Sequence, residues 1–201
     1  MIVSLAIFAV VAVIAVGALV RVVGANRRAQ SMQAAATGLN FALDAMSREI
    51  RVGAHYHCET AWASNDVINP DAGGPGSHTA KGCASIAKNS LITFDSQKQA
   101  DAGGGNTCRL IVAYLFVGNG TSYDLRRAQQ NSCNQNLQTT DFSSIIPQNM
   151  TLTDYRLAVD SADASNPYSW TFVRLAGIAG DRVQDQTTFD VQTLISQRIS
   201  D

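Results

Sequence analysis

The first 20 positions, MIVSLAIFAVVAVIAVGALV, carry a single polar side chain, Ser4, and the hydrophobic pattern beyond them passes without a break from uniform to one-sided. A hydrocarbon core of roughly 30 Å is crossed by about 20 apolar residues in helix. Residues 1–25 are therefore predicted to be the transmembrane half of a helix, with Ile2, Leu5, Phe8, Val11 and Leu19 on the surface offered to lipid or to other helices. The run is longer than a signal-peptide core, and no A-x-A-like site closes it before Arg21.

Over residues 26–53 the apolar positions Ala29, Met32, Ala36, Leu39, Leu43, Met46 and Ile50 recur at spacings of three and four, which aligns them on one stripe of a helix. Asn26, Gln30, Gln33, Thr37, Asn40, Asp44, Ser47 and Arg48 fill the opposite side. The first proline is Pro70, so one helix is expected from Met1 to about Arg51, on the order of 75 Å long. Gly17, Gly24 and Gly38 are its expected weak points, each costing about 1 kcal/mol against alanine. A soluble coiled coil is the competing reading of the stripe, but its alanine-rich heptads run for only three repeats before globular sequence begins.

Residues 54–107 read as a loop-rich connecting region, with GGPG at 73–76, GGG at 103–105 and one short strand at 91–95. Residues 108–201 read as an antiparallel sheet. CRLIVAYLFV, 108–117, suits a strand buried on both faces, and Asn119-Gly120 before SYDLRRA predicts a hairpin turn. In 151–159, Thr153, Tyr155, Leu157 and Val159 alternate with Asp154, Arg156 and Ala158; 168–175 and 187–199 supply two more strands. Asn166-Pro167 and Gly177 to Asp181 are the turns expected between them. The fold class is α+β: a long N-terminal helix packed on an antiparallel sheet, with 26–201 as one globular domain. The stripe is expected to cover the sheet at residues such as Val112, Tyr155, Leu157 and Phe172.

A net charge of -1 gives no electrostatic ground for nucleic-acid binding, and 46% hydrophobic residues are too many for a disordered chain. The four cysteines, Cys58, Cys83, Cys108 and Cys133, follow neither C-x-x-C nor zinc spacing, which points to disulfides and an oxidising compartment. Sequence-near closures, Cys58 with Cys83 and Cys108 with Cys133, are expected to form most easily, although four cysteines allow three pairings. The flanking charges conflict with that compartment. Arg21, Arg27 and Arg28 follow the apolar run and nothing positive precedes it, which taken alone would place the remainder in the cytoplasm. A basic leader upstream of Met1 reconciles the two, with Arg27 outside the cytoplasm.

Candidate chemistry is sparse. His55, His57, Cys58 and Glu59 are close enough to raise a zinc or copper site, but a disulfide accounts for Cys58 and an extended chain turns it away from both histidines. His78 has no partner in sequence. Asp160, Asp163, Asp181 and Asp185 could build a calcium site, and solvated loop acids are the commoner explanation. Neither a nucleophile elbow nor a phosphate-cradling loop is present, so no enzymatic activity, metal or cofactor is expected.

An apolar helix that turns amphipathic without a break, then a loop, then an antiparallel sheet, resembles the plan of type IV pilins and type II secretion pseudopilins. MIVSLAIFAVVAVIAVGAL resembles the hydrophobic half of the prepilin N-terminal methylation motif. NFALDAMSREIRVG, 40–53, resembles the end of the stem helix in W-type minor pilins and J-type minor pseudopilins, and FDVQTLISQR, 189–198, resembles their last strand. The motif's leader, glycine and glutamate have no counterpart in this sequence, and the resemblance leads us to expect them upstream. It implies a minor structural subunit, held in the inner membrane by its single helix with the C-terminal domain extracytoplasmic, and later part of a periplasmic or cell-surface filament. The implied partners are other pilin or pseudopilin subunits, inner-membrane lipid, the assembly platform and the prepilin peptidase. The alternative is a monomeric, signal-anchored extracytoplasmic binding domain.

Overall fold

The computed structural model describes residues 2–59, 82–85, 90–101, 107–131, 139–160, 169–180 and 186–197. One helix, α1, runs unbroken over Ile2–Val52. It is followed by β1 (Gly53–Glu59), β2 (Cys83–Ser85), β3 (Leu91–Asp101), β4 (Thr107–Gly118), β5 (Tyr123–Asn131), a 3-10 turn (Thr139–Asp141), β6 (Ser143–Ser144), β7 (Met150–Asp160), β8 (Trp170–Ala179) and β9 (Thr187–Ser196). The nine strands make one antiparallel sheet in the order β1-β3-β4-β5-β7-β8-β9, with β2 added to β7 and β6 to β5. The protein is thus a long N-terminal helix packed on an antiparallel sheet.

The sheet curls about the helix. α1 touches β1 and β3 at one end of the strand order and β8 and β9 at the other. Its seated residues are Ala35, Leu39, Ala42, Leu43, Met46 and Ile50, all buried. All but Ala42 share one core with Ile92 and Phe94 of β3, Val112, Tyr114 and Phe116 of β4, and Leu152, Tyr155, Leu157, Val173 and Leu175 of β7 and β8. Aromatic contacts line this concave face, with Phe116 stacked on Tyr155 at 4.3 Å between ring centroids and Tyr123 edge-on to Tyr155 at 4.9 Å. On the convex face Leu91, Ile111, Ala113, Leu115 and Ala128 pack with Phe142 in a second cluster. β4 is therefore buried on both faces, as its continuous apolar run predicts.

Several expectations need correction. The stripe on α1 is shorter and slightly rotated: Met32 is 53% exposed, Ala29 and Ala36 are exposed, and Ala35 and Ala42 are buried instead. A repeat read at alternating three and four drifts off the face of a 3.6-residue helix, and contact begins only where the sheet lies alongside. Phe172 is not among the seated partners. β8 turns Thr171, Val173, Leu175 and Ala179 inward, so Phe172 falls on the opposite face by the two-residue period of a strand. Thr153 is exposed for a related reason, because the register of β7 on β8 shifts between Leu152 and Asp154.

The region 54–107 is not merely connecting, since it contributes β1, β2 and β3 and brings the start of the sheet forward to Gly53. β8 continues through Gly177 to Ala179, into the expected turn, and Gly180 follows it at φ 125°. The β4–β5 connection is a four-residue loop between the paired residues Gly118 and Tyr123. Asn119 organises it: its side-chain oxygen accepts from the backbone N–H of Thr121 at 3.0 Å and of Ser122 at 3.1 Å.

Gly38 and Gly53 serve close approach between the helix and its surroundings. A Cβ on Gly38 would lie 2.3 Å from Pro147 Cγ, so this position of α1 is a contact with the segment before β7. A Cβ on Gly53 would lie 2.5 Å from the Phe94 ring, which marks where the helix gives way to β1 against β3. Gly17 and Gly24 have nothing within 4 Å.

Leu43→Asp should unfold the domain. It removes a buried leucine, worth about 1.5–3 kcal/mol, and places a carboxylate without a partner in the core. Asn40→Asp on the exposed face should change stability by no more than about 0.5 kcal/mol. Circular-dichroism melts of the detergent-solubilised full chain check both.

The disulfide Cys58–Cys83, spanning a sequence separation of 25, should contribute about 3 kcal/mol through the unfolded state. A Cys58→Ser/Cys83→Ser variant should show that loss in urea unfolding.

Candidate assembly surface on the N-terminal helix

α1 has two halves in different surroundings. Ile2, Leu5, Phe8, Val11 and Leu19 are all strongly exposed, and no part of the most apolar 18-residue window of the helix is covered by the rest of the protein. By length and composition this half can span a membrane. The other half is fixed to the sheet, and the fixing is densest at its C-terminal end.

There Glu49, one position before the seated Ile50, reaches the sheet. Arg127 of β5 grips its carboxylate with two donors, Nη2 to Oε1 at 2.6 Å and Nε to Oε2 at 2.9 Å. The Tyr114 hydroxyl of β4 donates to Oε2 at 2.6 Å. The planar guanidinium suits this two-point contact, which sets orientation as well as distance. The hydrogen bond to Glu49 is the main cause that raises the pKa of Arg127. Burial, followed by the hydrogen bond and charge of Glu49, pushes the Tyr114 hydroxyl far above its ordinary range.

The helix end has its own closure. The Tyr56 hydroxyl donates to the Ile50 carbonyl and lies 3.0 Å from the Gly53 carbonyl, which also accepts from Gln197 Nε2 at 2.8 Å. The first contact satisfies a carbonyl that the helix terminus leaves without a partner, and the Gly53 contacts tie the start of β1 to the residue after β9. Burial alone pushes the Tyr56 hydroxyl upward.

The expected cysteine pair Cys58–Cys83 is present, joining β1 to β2 and so to β7 within the concave core. Cys108 lies in β4 opposite Ala100, but its side chain and Cys133 lie outside the described residues, and so does their expected pairing. His55, at φ 54°, places Nδ1 3.2 Å from Asp95 Oδ2, and His57 places Nε2 3.0 Å from Glu59 Oε1. With Cys58 in the disulfide, its thiolate is not available to a metal, and among the described residues no three His, Cys, Asp or Glu side chains converge. His78, Asp163, Asp181 and Asp185 lie outside the described residues; Asp160 ends β7, opposite Trp170.

Sequence reasoning missed Glu49, Tyr114 and Arg127 as a unit, because they stand 65 and 78 residues apart with no periodicity linking them. It also missed Phe41, which projects from the seated half at 77% exposure and forms one wall of a cleft of about 340 Å³ with Ala45, Val52 and Leu110. An aromatic in a helix that already has a buried stripe is the signal that was available. No family model, no curated protein and no solved structure matches this chain.

The raised hydroxyls of Tyr56 and Tyr114 predict alkaline sensitivity. Below pH of about 10 both are protonated whether the chain is folded or not; above it the unfolded chain releases its protons and the folded chain does not. Stability should then fall by about 1.4 kcal/mol per pH unit for each tyrosine, and Tyr114→Phe should reduce the slope. Urea midpoints measured from about pH 9 to 11 check this.

Proposed function

We propose that the protein is a minor structural subunit of a pilin-like or pseudopilin-like filament, held in the inner membrane by α1 before assembly, with its sheet domain outside the cytoplasm. The observation that carries this reading is the division of α1: a first half that is apolar and wholly uncovered, continuous with a second half locked onto the domain. A helix used only as a tether needs no rigid continuation into the core. A helix that must later carry the domain's position into a bundle does.

The mechanism is an exchange of surroundings for one apolar surface. Lipid covers residues 2–20 in the membrane, and neighbouring apolar helices cover them in the filament, where the alanines, glycines and valines of the segment permit close backbone approach. Phe41 and its cleft, exposed farther along the same helix, supply apolar surface for a neighbour at the level of the domain. The disulfide is in keeping with an oxidising compartment. The prepilin peptidase and the assembly platform are the partners this reading requires.

A second reading is the tethered binding domain. It is favoured by a cleft of about 720 Å³ where β5 and β7 diverge after the single pair Tyr123–Leu152, lined by Asn119, Ser122, Tyr123, Asp124, Ser144 and Gln148 among others.

Photo-crosslinking separates the two readings. With a benzophenone amino acid at Phe8 or Val11 in the chain expressed in its own cells, the filament reading expects covalent adducts to other subunits, concentrated in the fraction sheared from the cells. Lipid adducts alone, on a chain that stays in the membrane, would refute it and favour the tether.

A further inference from the structure

We infer that the cleft beside the β4–β5 turn is a binding site for a neutral saccharide, whose hydroxyls are held at one end by the amide of Asn119 and at the other by the carboxylate of Asp124. A domain carried on a filament and a domain on a tether present this cleft alike. The inference therefore goes beyond both readings of the helix and depends on neither.

The turn is fastened in a way that leaves one amide oriented. Asn119 Oδ1 accepts from the backbone N–H of Thr121 at 3.0 Å and of Ser122 at 3.1 Å, and from the Thr121 hydroxyl at 2.8 Å. A backbone N–H can only donate, so the oxygen end of the amide is fixed on the turn and the NH2 end is directed away from it. That NH2 holds two donors, and among the described residues it has no hydrogen-bond partner.

Asp124 is oriented from the other side. Its Oδ1 accepts from the Ser144 hydroxyl at 2.7 Å and its Oδ2 from Arg126 Nε at 2.7 Å. Each oxygen keeps a further lone pair, so the carboxylate is a fixed acceptor whose charge is already balanced. Val117 and Asp124 are cross-strand partners and so share a face of the sheet, and Asn119 lies two residues past Val117, about 7 Å along the chain. Donors and acceptors thus border a span of the size of a sugar ring, with the Val117 side chain beside them to meet its C–H groups. The Tyr123 ring closes the base of the turn by lying over Gly118, where a Cβ would run into it.

The lining selects the class of ligand. At about 720 Å³ the cleft falls within the range of small-molecule sites. Among the described residues Asp124 is the only charged group that lines it, and Arg126 offsets that charge, so neither an anion nor a cation is drawn in. Gln148 and Thr151 add an amide and a hydroxyl that make no side-chain hydrogen bond to the described residues. An apolar ligand would strip water from these groups and return nothing. A peptide strand would need open backbone, yet β5 is already engaged here by Leu152 at Tyr123, by Ile145 at Leu125 and by Ser144 at Arg126. A neutral polyol replaces the lost water with donors and acceptors of its own, and its C–H surface suits Val117, Ile146 and Pro147.

The test uses the full chain in a detergent without a sugar headgroup, screened by saturation-transfer NMR against neutral disaccharides of glucose, galactose, mannose and N-acetylglucosamine. At least one should receive saturation at millimolar concentration. Asn119→Asp keeps the oxygen that fastens the turn and removes both donors, so it should weaken that binding by about tenfold or more. Asp124→Asn should do the same from the acceptor end, and Phe41→Ser, in the other cleft, should leave binding unchanged. Circular-dichroism melts verify folding; if Asp124→Asn unfolds, Asn119→Asp decides. Saturation of none of the disaccharides overturns the site, and so does binding that a folded Asn119→Asp leaves at wild-type strength. A response confined to sialyllactose or glucose 6-phosphate overturns it as well, because the ligand would then be recognised by its charge.

Discussion

The seating of Leu39, Leu43, Met46 and Ile50 in the curl of the sheet is the contact on which the rest of the structure depends. A sheet with an apolar concave face cannot stay open to water, and among the described residues α1 is the only α-helix available to fill it. Filling it from one side explains why β1 and β9, the two ends of the strand order, both lie against the same helix. It also explains why the polar ties, Glu49 to Arg127 and Gln197 to Gly53, gather where α1 ends. They hold a position that apolar packing has already made favourable, and they restrict how the helix can rotate or slide within it.

A helix bound this way transmits position. Fifty-one residues run without a break from a half that needs an apolar environment to a half that already has one. Whatever accommodates the first half thereby sets the height and orientation of the domain. The stretch between the apolar run and Ala35 carries Arg21, Arg27 and Arg28, so the boundary between the two environments is charged as well as geometric. The disulfide contributes in a different manner: by joining β1 to β2 and β7 it closes the concave side covalently, which is useful for a domain whose strands β5 and β7 share one pair only.

Much of this was legible in the order of residues. Twenty nearly uninterrupted apolar residues, an amphipathic continuation without proline, the run CRLIVAYLFV and the alternating segments near the C-terminus specify a long helix and an antiparallel sheet, because hydrophobic period and length are local properties that survive into the fold. The Cys58–Cys83 pair was likewise accessible, as a short closure. Which side of each element meets the core was less so: Thr153 and Phe172 were placed on the wrong face because a single bulge or a one-residue shift of register exchanges the faces of a strand.

What the tertiary structure alone decided is where distant segments meet. β1, spelled GAHYHCE, reads as loop until Tyr56 and Cys58 are seen turned to the core and paired across to β3. Glu49 reads as one more solvated acid until the curl of the sheet brings Arg127 and Tyr114 to it. Met32 reads as core until the sheet proves to start beside Ala35. Each of these depends on long-range contact, whose partners are selected by the packing of the whole and leave no periodic trace in the chain. The membrane-compatible half of α1 is the opposite case: none of its most apolar window is buried against the domain, and its character is set by the order of its own side chains.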